Sequence, residues 1–477
     1  MVFTSLQFVI FFIIVFGLYL ACNHKWQNRM LLVASYVFYS AWDWRFSSLI
    51  LFSTILNYIC GHEIFKSKDY KRRKIFLFIS IIGNIGMLAF FKYFNFFLSN
   101  LYDLVRFFGY TGQLRYLNII LPLGISFYTF QSMSYTIDIY RKAMEPTRKF
   151  FDFALFVAFF PQLVAGPIER AKHLLPQILN PRKITLDKFH EGCYLIFFGV
   201  FQKIFVADNL AKIVDPIFAG FPPYDGSKTV LAAYAFAFQV FCDFAGYSNI
   251  ARGLGKCMGF DIVVNFNVPY LATNIQDFWQ RWHISLSSWI KDYLYFPLFF
   301  SLKILRGKTR GYITQIITMG IMGLWHGAAW TFIIWGLYHG ILLAIYTGLK
   351  PKICNLVNPK SYIGREIWFF ARAFFMLSLV SLGGVIFRAQ SMLQAKLMLQ
   401  SLICDFSLAS LNAHHVRNLI FYVWFIMLIE VIRHKTGDLN ILRHLPIFVR
   451  INALLYMGYS VMLMGVLSGE EFVYFQF

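Results

Sequence analysis

The sequence predicts an all-α polytopic membrane protein with about ten crossings, some of them broken, and three observations support this fold class. Of the 477 residues, 58% are hydrophobic, and Phe alone contributes 56. The apolar residues form successive runs, many of them close to the ~20 residues that a helix needs to cross a bilayer. The basic residues, which give a formal net charge of +21, are concentrated in short segments between these runs, as membrane topology signals are.

A single domain covering residues 1–477 is predicted, because no Ser/Gly/Pro-rich linker or low-complexity tract divides the chain. The placement of the basic residues argues against a nucleic-acid partner. It indicates instead a cytosolic face that attracts anionic lipids or a phosphate-bearing cosubstrate. Seven scattered cysteines without a CxxC pair argue against a disulfide framework and against a zinc site, so we expect no metal.

The first half of the chain contains apolar runs at about 4–22, 30–42, 47–64, 75–99 and 116–137. Basic segments follow the first, third and fifth runs, and the strongest of them is KSKDYKRRK at 66–74. The positive-inside rule places these segments in the cytosol and therefore the N-terminus outside. Continued along the chain, the same count places the C-terminus outside as well.

Residues 151–168 interrupt this alternation, because the stretch contains two prolines and a glycine and is followed by basic residues again. We interpret it as a re-entrant loop, which is tolerated at depth only where it lines protein or water. Runs at 190–206 and 229–247 follow, and then a long cytosolic-side segment, 248–313. Asp138, Glu169 and Asp243 lie at cytosolic ends of apolar runs, where we expect carboxylates to be solvated.

The longest apolar run extends over 313–346 and holds a histidine, His326, near its middle. Its length exceeds the ~20 residues of one crossing, and basic residues follow it. A broken pair of helices that returns to the cytosol therefore fits better than one rod, with His326 and Gly327 near the break. An ionisable side chain at that depth is costly in hydrocarbon and usually marks a functional site. The glycines around it allow close approach of backbones.

A second histidine of this run, His339, follows His326 after 13 residues. On one regular helix this spacing puts the two side chains on roughly opposite faces and about 20 Å apart along the axis. We therefore expect them not to share a proton or a metal, and we interpret His339 as structural.

The segment from Asn265 to Pro297 is too polar for a plain membrane span and too aromatic for a free loop. Its tryptophans and tyrosines favour a helix that lies in the membrane interface, with Arg281 and Lys291 reaching toward headgroups or phosphates. His283 lies within this segment.

The sequence contains no GxSxG elbow, P-loop, GxGxxG or metal-spaced cluster. A histidine without a serine or cysteine nucleophile indicates general-base activation of a substrate hydroxyl, which attacks an already activated acyl donor such as a thioester.

The chain resembles the membrane-bound O-acyltransferase (MBOAT) family, and within it the bacterial branch that includes the membrane subunit for alginate O-acetylation. The resemblance covers essentially the whole chain, and its two histidine motifs are highly specific. The matching segments are SYVFYSAWDWRF at 35–46, LPLGISFYTFQSMSYTIDIYR at 121–141, FPQLVAGPIER at 160–170, FCDFAGYSNIARGLGKCMGF at 241–260, DFWQRWHISLSSWIKDYLYFPL at 277–298 and GLWHGAAWTFIIWGLYHG at 323–340.

The resemblance implies a bundle of about ten to twelve transmembrane helices, with re-entrant or broken segments around a central tunnel. Acyl-CoA would enter from the cytosol and the acceptor from outside. The nearly invariant histidine of the family, in the WHG context, is His326 here, and the other characteristic histidine, in RWHISLS, is His283. The chain departs from its relatives at Pro297–Phe300, where Pro-Leu-Phe-Phe replaces the usual Pro-Leu-Gly-Gly.

These observations predict an O-acetyltransferase of the bacterial cytoplasmic (inner) membrane. It would take acetyl from cytosolic acetyl-CoA, with no tightly bound cofactor, for O-acetylation of an extracytoplasmic, alginate-like polysaccharide. We expect a periplasmic SGNH-type partner. His326 would be the general base, and His283 would orient the donor or aid proton transfer. Arg281 and Lys291 would contact the CoA phosphates.

Three alternatives stay open. Within the enzymes, these are D-alanyl transfer from a carrier-protein thioester to teichoic acid and O-acetylation of peptidoglycan. The alternative of another class is a membrane transporter, since broken helices and intramembrane histidines occur there too. The sequence offers no inverted repeat in its favour.

Overall fold

The computed structural model describes residues 1–353, 359–466 and 472–473, and these residues form helices and no strands. In this described part, eight helical stretches are long and apolar enough to cross a membrane, and two shorter apolar helices, Leu6–Ala21 and Met392–Cys404, accompany them. The predicted all-α, multi-pass fold class is therefore confirmed. The closing residues 474–477, at the C-terminus predicted to be extracytoplasmic, lie outside the described part.

The α-helices, numbered in chain order, are α1 Leu6–Ala21, α2 His24–Asp43, α3 Ser47–Lys66, α4 Tyr70–Leu88, α5 Phe94–Phe107, α6 Ile125–Tyr140, α7 Phe150–Ala158, α8 Phe160–Leu163, α9 Ala171–Leu179, α10 Leu186–Val200, α11 Asp208–Phe218, α12 Gly226–Cys257, α13 Ile275–Arg281, α14 Ile284–Ile290, α15 Phe296–Ser301, α16 Gly307–His326, α17 Trp330–Ile353, α18 Tyr362–Arg388, α19 Met392–Cys404, α20 Ala413–Thr436, α21 Ile441–His444 and α22 Ile447–Met464.

The chain divides into two compact units. The first comprises residues 1–196 and 250–263, and the second comprises residues 197–249 and 264–477. Single-domain organisation stays a prediction. All the candidate site residues named from the sequence belong to the second unit.

In the first unit, a seam of buried polar side chains joins α3, α4 and α6. Ser53 Oγ donates to Asn84 Oδ1 over 2.8 Å, and Ser80 Oγ donates to Asn57 Oδ1 over 2.7 Å. Ser80 also bonds Thr136 of α6 over 2.7 Å. Such bonds hold membrane helices together, because hydrocarbon offers these groups no partner.

The stretch predicted to be re-entrant is also in the first unit, and the structure breaks it into the short helices α7 and α8. Residues 152–169 are buried throughout, so this irregular backbone is surrounded by protein, as such backbone must be in a membrane. Gly124, with φ of +70°, caps α6 against this stretch, and a β-carbon there would lie 2.5 Å from the Leu163 carbonyl oxygen. Glycine is the residue that fits both constraints.

The expectation that three carboxylates are solvated is wrong. Asp138, Glu169 and Asp243 are all at most 4% exposed. Glu169 accepts hydrogen bonds from His173 Nδ1 and from the Val263 backbone N–H, and the bond to Glu169 raises the pKa of His173. The apolar run gives the position of a carboxylate along a helix, but it does not show that the position is buried or that a partner such as Val263 comes from 94 residues away.

In the second unit, the long apolar run is a helical hairpin, as predicted. The first helix, α16, ends at His326, and α17 begins at Trp330 and packs back along it. Contact is backbone to backbone, because a β-carbon at Gly323 would overlap the Phe332 carbonyl and one at Gly336 would overlap the Met319 carbonyl. The glycine spacing therefore permits a hairpin closer than larger side chains would allow.

Candidate active site

His326 is the last residue of α16, and its imidazole is surrounded by aromatic rings. It is 4% exposed. The ring centroids of Trp325, Trp335 and Phe387 lie 4.9, 5.1 and 5.5 Å from its own, each packed edge to face. The break after His326 brings α17 and α18 against it, and these helices supply Trp335 and Phe387. The predicted position of His326 at the break is confirmed.

His326 and His339 line one pocket, with a cavity volume of about 50 Å³. A water molecule needs roughly 10–15 Å³ by this measure, so the space suits a group of a few heavy atoms. Nearly all the lining is apolar or aromatic, and no carboxylate belongs to it. The lining residues are Phe236, Ala237, Val240, Tyr270, Phe278, Trp282, His326, Trp335, His339, Val380, Gly384 and Phe387.

The predicted arrangement of His326 and His339, about 20 Å apart on opposite faces of one helix, is wrong. The His339 ring lies 4.9 Å from the Trp335 indole and the His326 ring 5.1 Å from it, so the two imidazoles are within about 10 Å of each other. The estimate of about 20 Å assumed one continuous helix. Because the chain reverses at Gly327–Ala329, the two histidines belong to different helices and face one cavity.

His283 precedes α14 with a left-handed backbone, φ of +43°, and is fully buried. Its Nδ1 lies 3.1 Å from Asn265 Oδ1, which also accepts from Ser285 Oγ over 2.9 Å. The Asn265 side-chain nitrogen donates to Ser248, so Oδ1 is the acceptor and His283 Nδ1 carries the proton. Burial lowers the pKa of His283 to about 3, which keeps the ring neutral.

His283 does not line the pocket of His326. It packs against Phe244 at 4.6 Å and against Trp325 at 6.3 Å, and Trp325 in turn contacts His326. The structure thus brings the two predicted histidines close together, with an indole between them. Their predicted catalytic roles stay predictions.

Lys291 lines a larger cavity, of about 410 Å³, between α13–α14 and the hairpin. This cavity is rich in hydroxyl and amide side chains. Thr318, which is 4% exposed, has no hydrogen-bond partner for its hydroxyl within the described part of the chain. The polar lining residues are Gln276, Gln280, Ser287, Ser288, Lys291, Tyr295, Gln315 and Thr318.

Arg281 lies on α13 and does not line either cavity. Its Nε donates to Asp277 Oδ1 over 2.6 Å, one helical turn away on α13. The predicted contact of Arg281 with CoA phosphates therefore stays a prediction. Of the two predicted cations, Lys291 lines one of these two cavities and Arg281 lines neither.

Trp279 lies between the two cavities. It belongs to the lining of the larger one, and its ring contacts Trp335 at 6.0 Å and His339 at 5.2 Å, both of which line the smaller one. The side chains of Trp279 and Trp335 therefore separate a polar cavity from the pocket of the two histidines. Within the described residues, no three His, Cys, Asp or Glu side chains form a group that could hold a metal.

We expect Asn265→Ala to lower both stability and activity. The change removes the acceptor of His283 Nδ1 and Ser285 Oγ, and each lost hydrogen bond costs about 0.5–1.5 kcal/mol. Thermal unfolding of the detergent-solubilised protein and the rate of the acyl transfer expected from the sequence measure the two effects. Ser248→Ala is the matched control: it removes one acceptor from the same network, that of the Asn265 side-chain nitrogen, but leaves Asn265 Oδ1 and its donors in place, so we expect a smaller loss. Equal behaviour of the two variants would contradict this role of Asn265.

Comparison with known proteins shows which proteins the chain is similar to. Residues 140–385 match the family described as MBOAT, membrane-bound O-acyltransferase family. The chain is 41% identical over 431 residues to the probable alginate O-acetylase of Azotobacter vinelandii, covering 88% of this chain and 82% of that protein. It is 34% identical over 399 residues to the peptidoglycan O-acetyltransferase of Helicobacter pylori, covering 74% and 72%. It is 32% identical over 240 residues to the teichoic acid D-alanyltransferase of Bacillus subtilis, covering 48% and 60%.

Proposed function

Because the chain belongs to the membrane-bound O-acyltransferase family, we propose that it transfers acetyl groups from acetyl-CoA for O-acetylation of an alginate-like polysaccharide outside the cell. The observation that carries the proposal is the buried imidazole of His326 in a pocket sized for a small acyl group. The similarity over 82% of an alginate O-acetylase supports the acceptor class.

His326 is the general base in this proposal. It takes the proton of the attacking hydroxyl while the hydroxyl oxygen bonds to the thioester carbon. The carbon–sulfur bond then breaks, and the proton passes to the departing thiolate, which leaves as the free thiol of CoA. A neutral imidazole suits both steps, because it can accept one proton and return it. The aromatic rings around His326 exclude water, which would otherwise hydrolyse the thioester.

The larger cavity suits the CoA arm of the donor. Its amide and hydroxyl side chains match the amide groups of a pantetheine chain, and Lys291 offers a cation for phosphate. Arg281 would take part only by exchanging Asp277 for a phosphate group. Trp279 and Trp335, which separate the two cavities, would then have to admit the acetyl end of the thioester.

The setting proposed for this reaction is the bacterial inner membrane, with both termini outside and the basic segments in the cytosol. Acetyl-CoA then approaches from the cytosol, and the acceptor or a periplasmic SGNH-type partner approaches from outside. The excess of Lys and Arg over Asp and Glu, 44 against 23, supports a strongly basic cytosolic face.

The small pocket favours acetyl over D-alanyl. A D-alanyl group carries an ammonium, which would require a carboxylate or several acceptors once it is buried. The pocket lining contains no carboxylate, and most of it is apolar. The similarity to the D-alanyltransferase also covers only 48% of the chain. Peptidoglycan is the second candidate acceptor, supported by 34% identity over 74% of the chain.

The proposal is tested with purified protein in liposomes. We expect labelled acetyl-CoA to donate to an alginate oligomer, with the expected periplasmic partner added, and labelled D-alanyl carrier protein to give no transfer. Peptidoglycan fragments are the competing acceptor in the same assay. Transfer from the carrier protein alone, or movement of an unmodified solute without any thioester, would overturn the proposal in favour of D-alanylation or transport.

A further inference from the structure

His339 has no assigned part in the reaction, yet it is built into the pocket. It is 1% exposed and lies on α17, 4.9 Å from Trp335 and 5.2 Å from Trp279 between ring centroids. Within the described residues, neither of its ring nitrogens has a hydrogen-bond partner. Nearly all buried polar side chains in folded proteins have one, so this group calls for an explanation.

The surroundings of His339 give no structural reason for an imidazole. Its ring packs against Phe278, Trp279, Trp335 and Tyr338, contacts that a phenylalanine would make equally well. A buried imidazole at this position lowers the stability of the fold unless a group in the cavity forms a hydrogen bond with it. The Tyr270 hydroxyl, also in the pocket, already donates to the Ala237 carbonyl and is not its partner.

Acyl transfer creates a need for a hydrogen-bond donor in this cavity. When the hydroxyl oxygen adds to the thioester carbon, the carbonyl oxygen becomes an oxyanion. In an apolar pocket that charge is costly unless a donor is already aimed at it. A neutral imidazole carries one N–H, and His339 faces the same cavity as the general base while belonging to the opposite helix of the hairpin.

We propose that His339 is the oxyanion donor of this site: its ring N–H hydrogen-bonds the thioester carbonyl oxygen, while His326 takes the proton of the hydroxyl. This inference rests on the proposed function and assigns a second role within it. The base and the donor then approach the carbonyl from two helices, which the close glycine contact of the hairpin holds in register. No proton leaves His339, so the proton balance of the reaction is unchanged.

The test compares two variants in the liposome assay with labelled acetyl-CoA. His339→Phe keeps the ring packing and removes the N–H. His339→Gln loses the ring and keeps an N–H donor of similar reach. We expect His339→Phe to lower kcat by about 10²- to 10³-fold with KM for acetyl-CoA nearly unchanged, the usual effect of removing one oxyanion donor. We expect His339→Gln to keep at least ten times the kcat of His339→Phe.

Thermal unfolding separates this role from a structural one. Because His339→Phe removes a buried polar group that has no protein partner, we expect its unfolding midpoint to equal or exceed that of the wild type. Wild-type kcat in His339→Phe would overturn the inference. So would an equal loss of kcat in both variants, since the effect would then not follow the N–H. Inactive wild-type protein in the same assay would instead count against the proposed function.

Discussion

His326→Ala is expected to lower the rate of acetyl transfer by about 10²- to 10⁴-fold, the range that a general base contributes. The variant lacks the group that accepts the hydroxyl proton. His283 cannot take its place without moving, because Trp325 separates it from the pocket, and His339 is assigned to the carbonyl oxygen on the other side of the pocket. Initial rates with labelled acetyl-CoA, measured on purified protein in liposomes, give the size of the loss.

The unfolding midpoint decides whether this loss is chemical. His326 packs against Trp325, Trp335 and Phe387, so its truncation also leaves a small cavity among aromatic rings. His326→Gln fills more of that space and should be as inactive as His326→Ala. The matched control is His190→Ala on α10, an exposed histidine outside the site. Full activity of a folded His326→Ala protein would end the assignment of the base.

The hairpin shows how much of the site the sequence could predict. An apolar run too long for one crossing, with glycines near its middle and basic residues after it, was sufficient to place a break at His326 and Gly327. These are local properties of the chain, and the structure confirms them with helices that end at His326 and begin again at Trp330. The glycine contacts at Gly323 and Gly336 follow from the same pattern.

The closeness of His326 and His339 could not be predicted from their spacing along one helix, although the break that brings them together was predicted. Counting residues along one helix gives an axial distance, and that distance loses its meaning once the chain reverses. Because a reversal of the chain was predicted, a distance estimated across the hairpin, instead of along one helix, would have placed the two histidines close together. The rings from α18 that complete the pocket, such as Phe387, carried no local signal at all.

Asn265 is a second residue that the sequence concealed. An asparagine before an aromatic segment is ordinary, and nothing in its neighbourhood in the chain points to His283, 18 residues later. The pairing depends on the left-handed backbone at His283 and on the turn that returns the chain to Asn265. In the same way, Lys291 was identified by its charge, but its cavity exists only because α13 and α14 pack beside the hairpin.

Buried charge was the point at which the sequence misled most: Asp243, expected to be solvated, is buried beside the ammonium of Lys203, a residue for which no prediction was made. Its ammonium lies 2.7 Å from Asp208 Oδ1 and 2.8 Å from Asp243 Oδ1, and all three residues are at most 4% exposed. Asp243 also accepts a 2.7 Å hydrogen bond from the backbone N–H of Val473, and so attaches this part of the tail to α12. The cation between two carboxylates and the hydrogen bond from the tail N–H together stabilise this buried ionic cluster.

Lys203→Met is therefore expected to destabilise the protein by about 3–5 kcal/mol, the usual consequence of removing one partner from a buried ion pair. Two carboxylates would remain in a dry interior without their cation, and hydrocarbon around the helices offers no alternative. Thermal unfolding in detergent measures the change, with Lys212→Met as the matched control on α11. Lys212 is exposed and bonds only the Asn209 side-chain oxygen in the described structure, so its substitution should cost about 0.5 kcal/mol.

Neutralising both carboxylates in Lys203→Met/Asp208→Asn/Asp243→Asn should restore much of the stability, because the two carboxylate charges are then no longer buried. If the triple variant is no more stable than Lys203→Met, the loss comes from packing of the lysine stem rather than from charge, and the ionic account of this cluster fails.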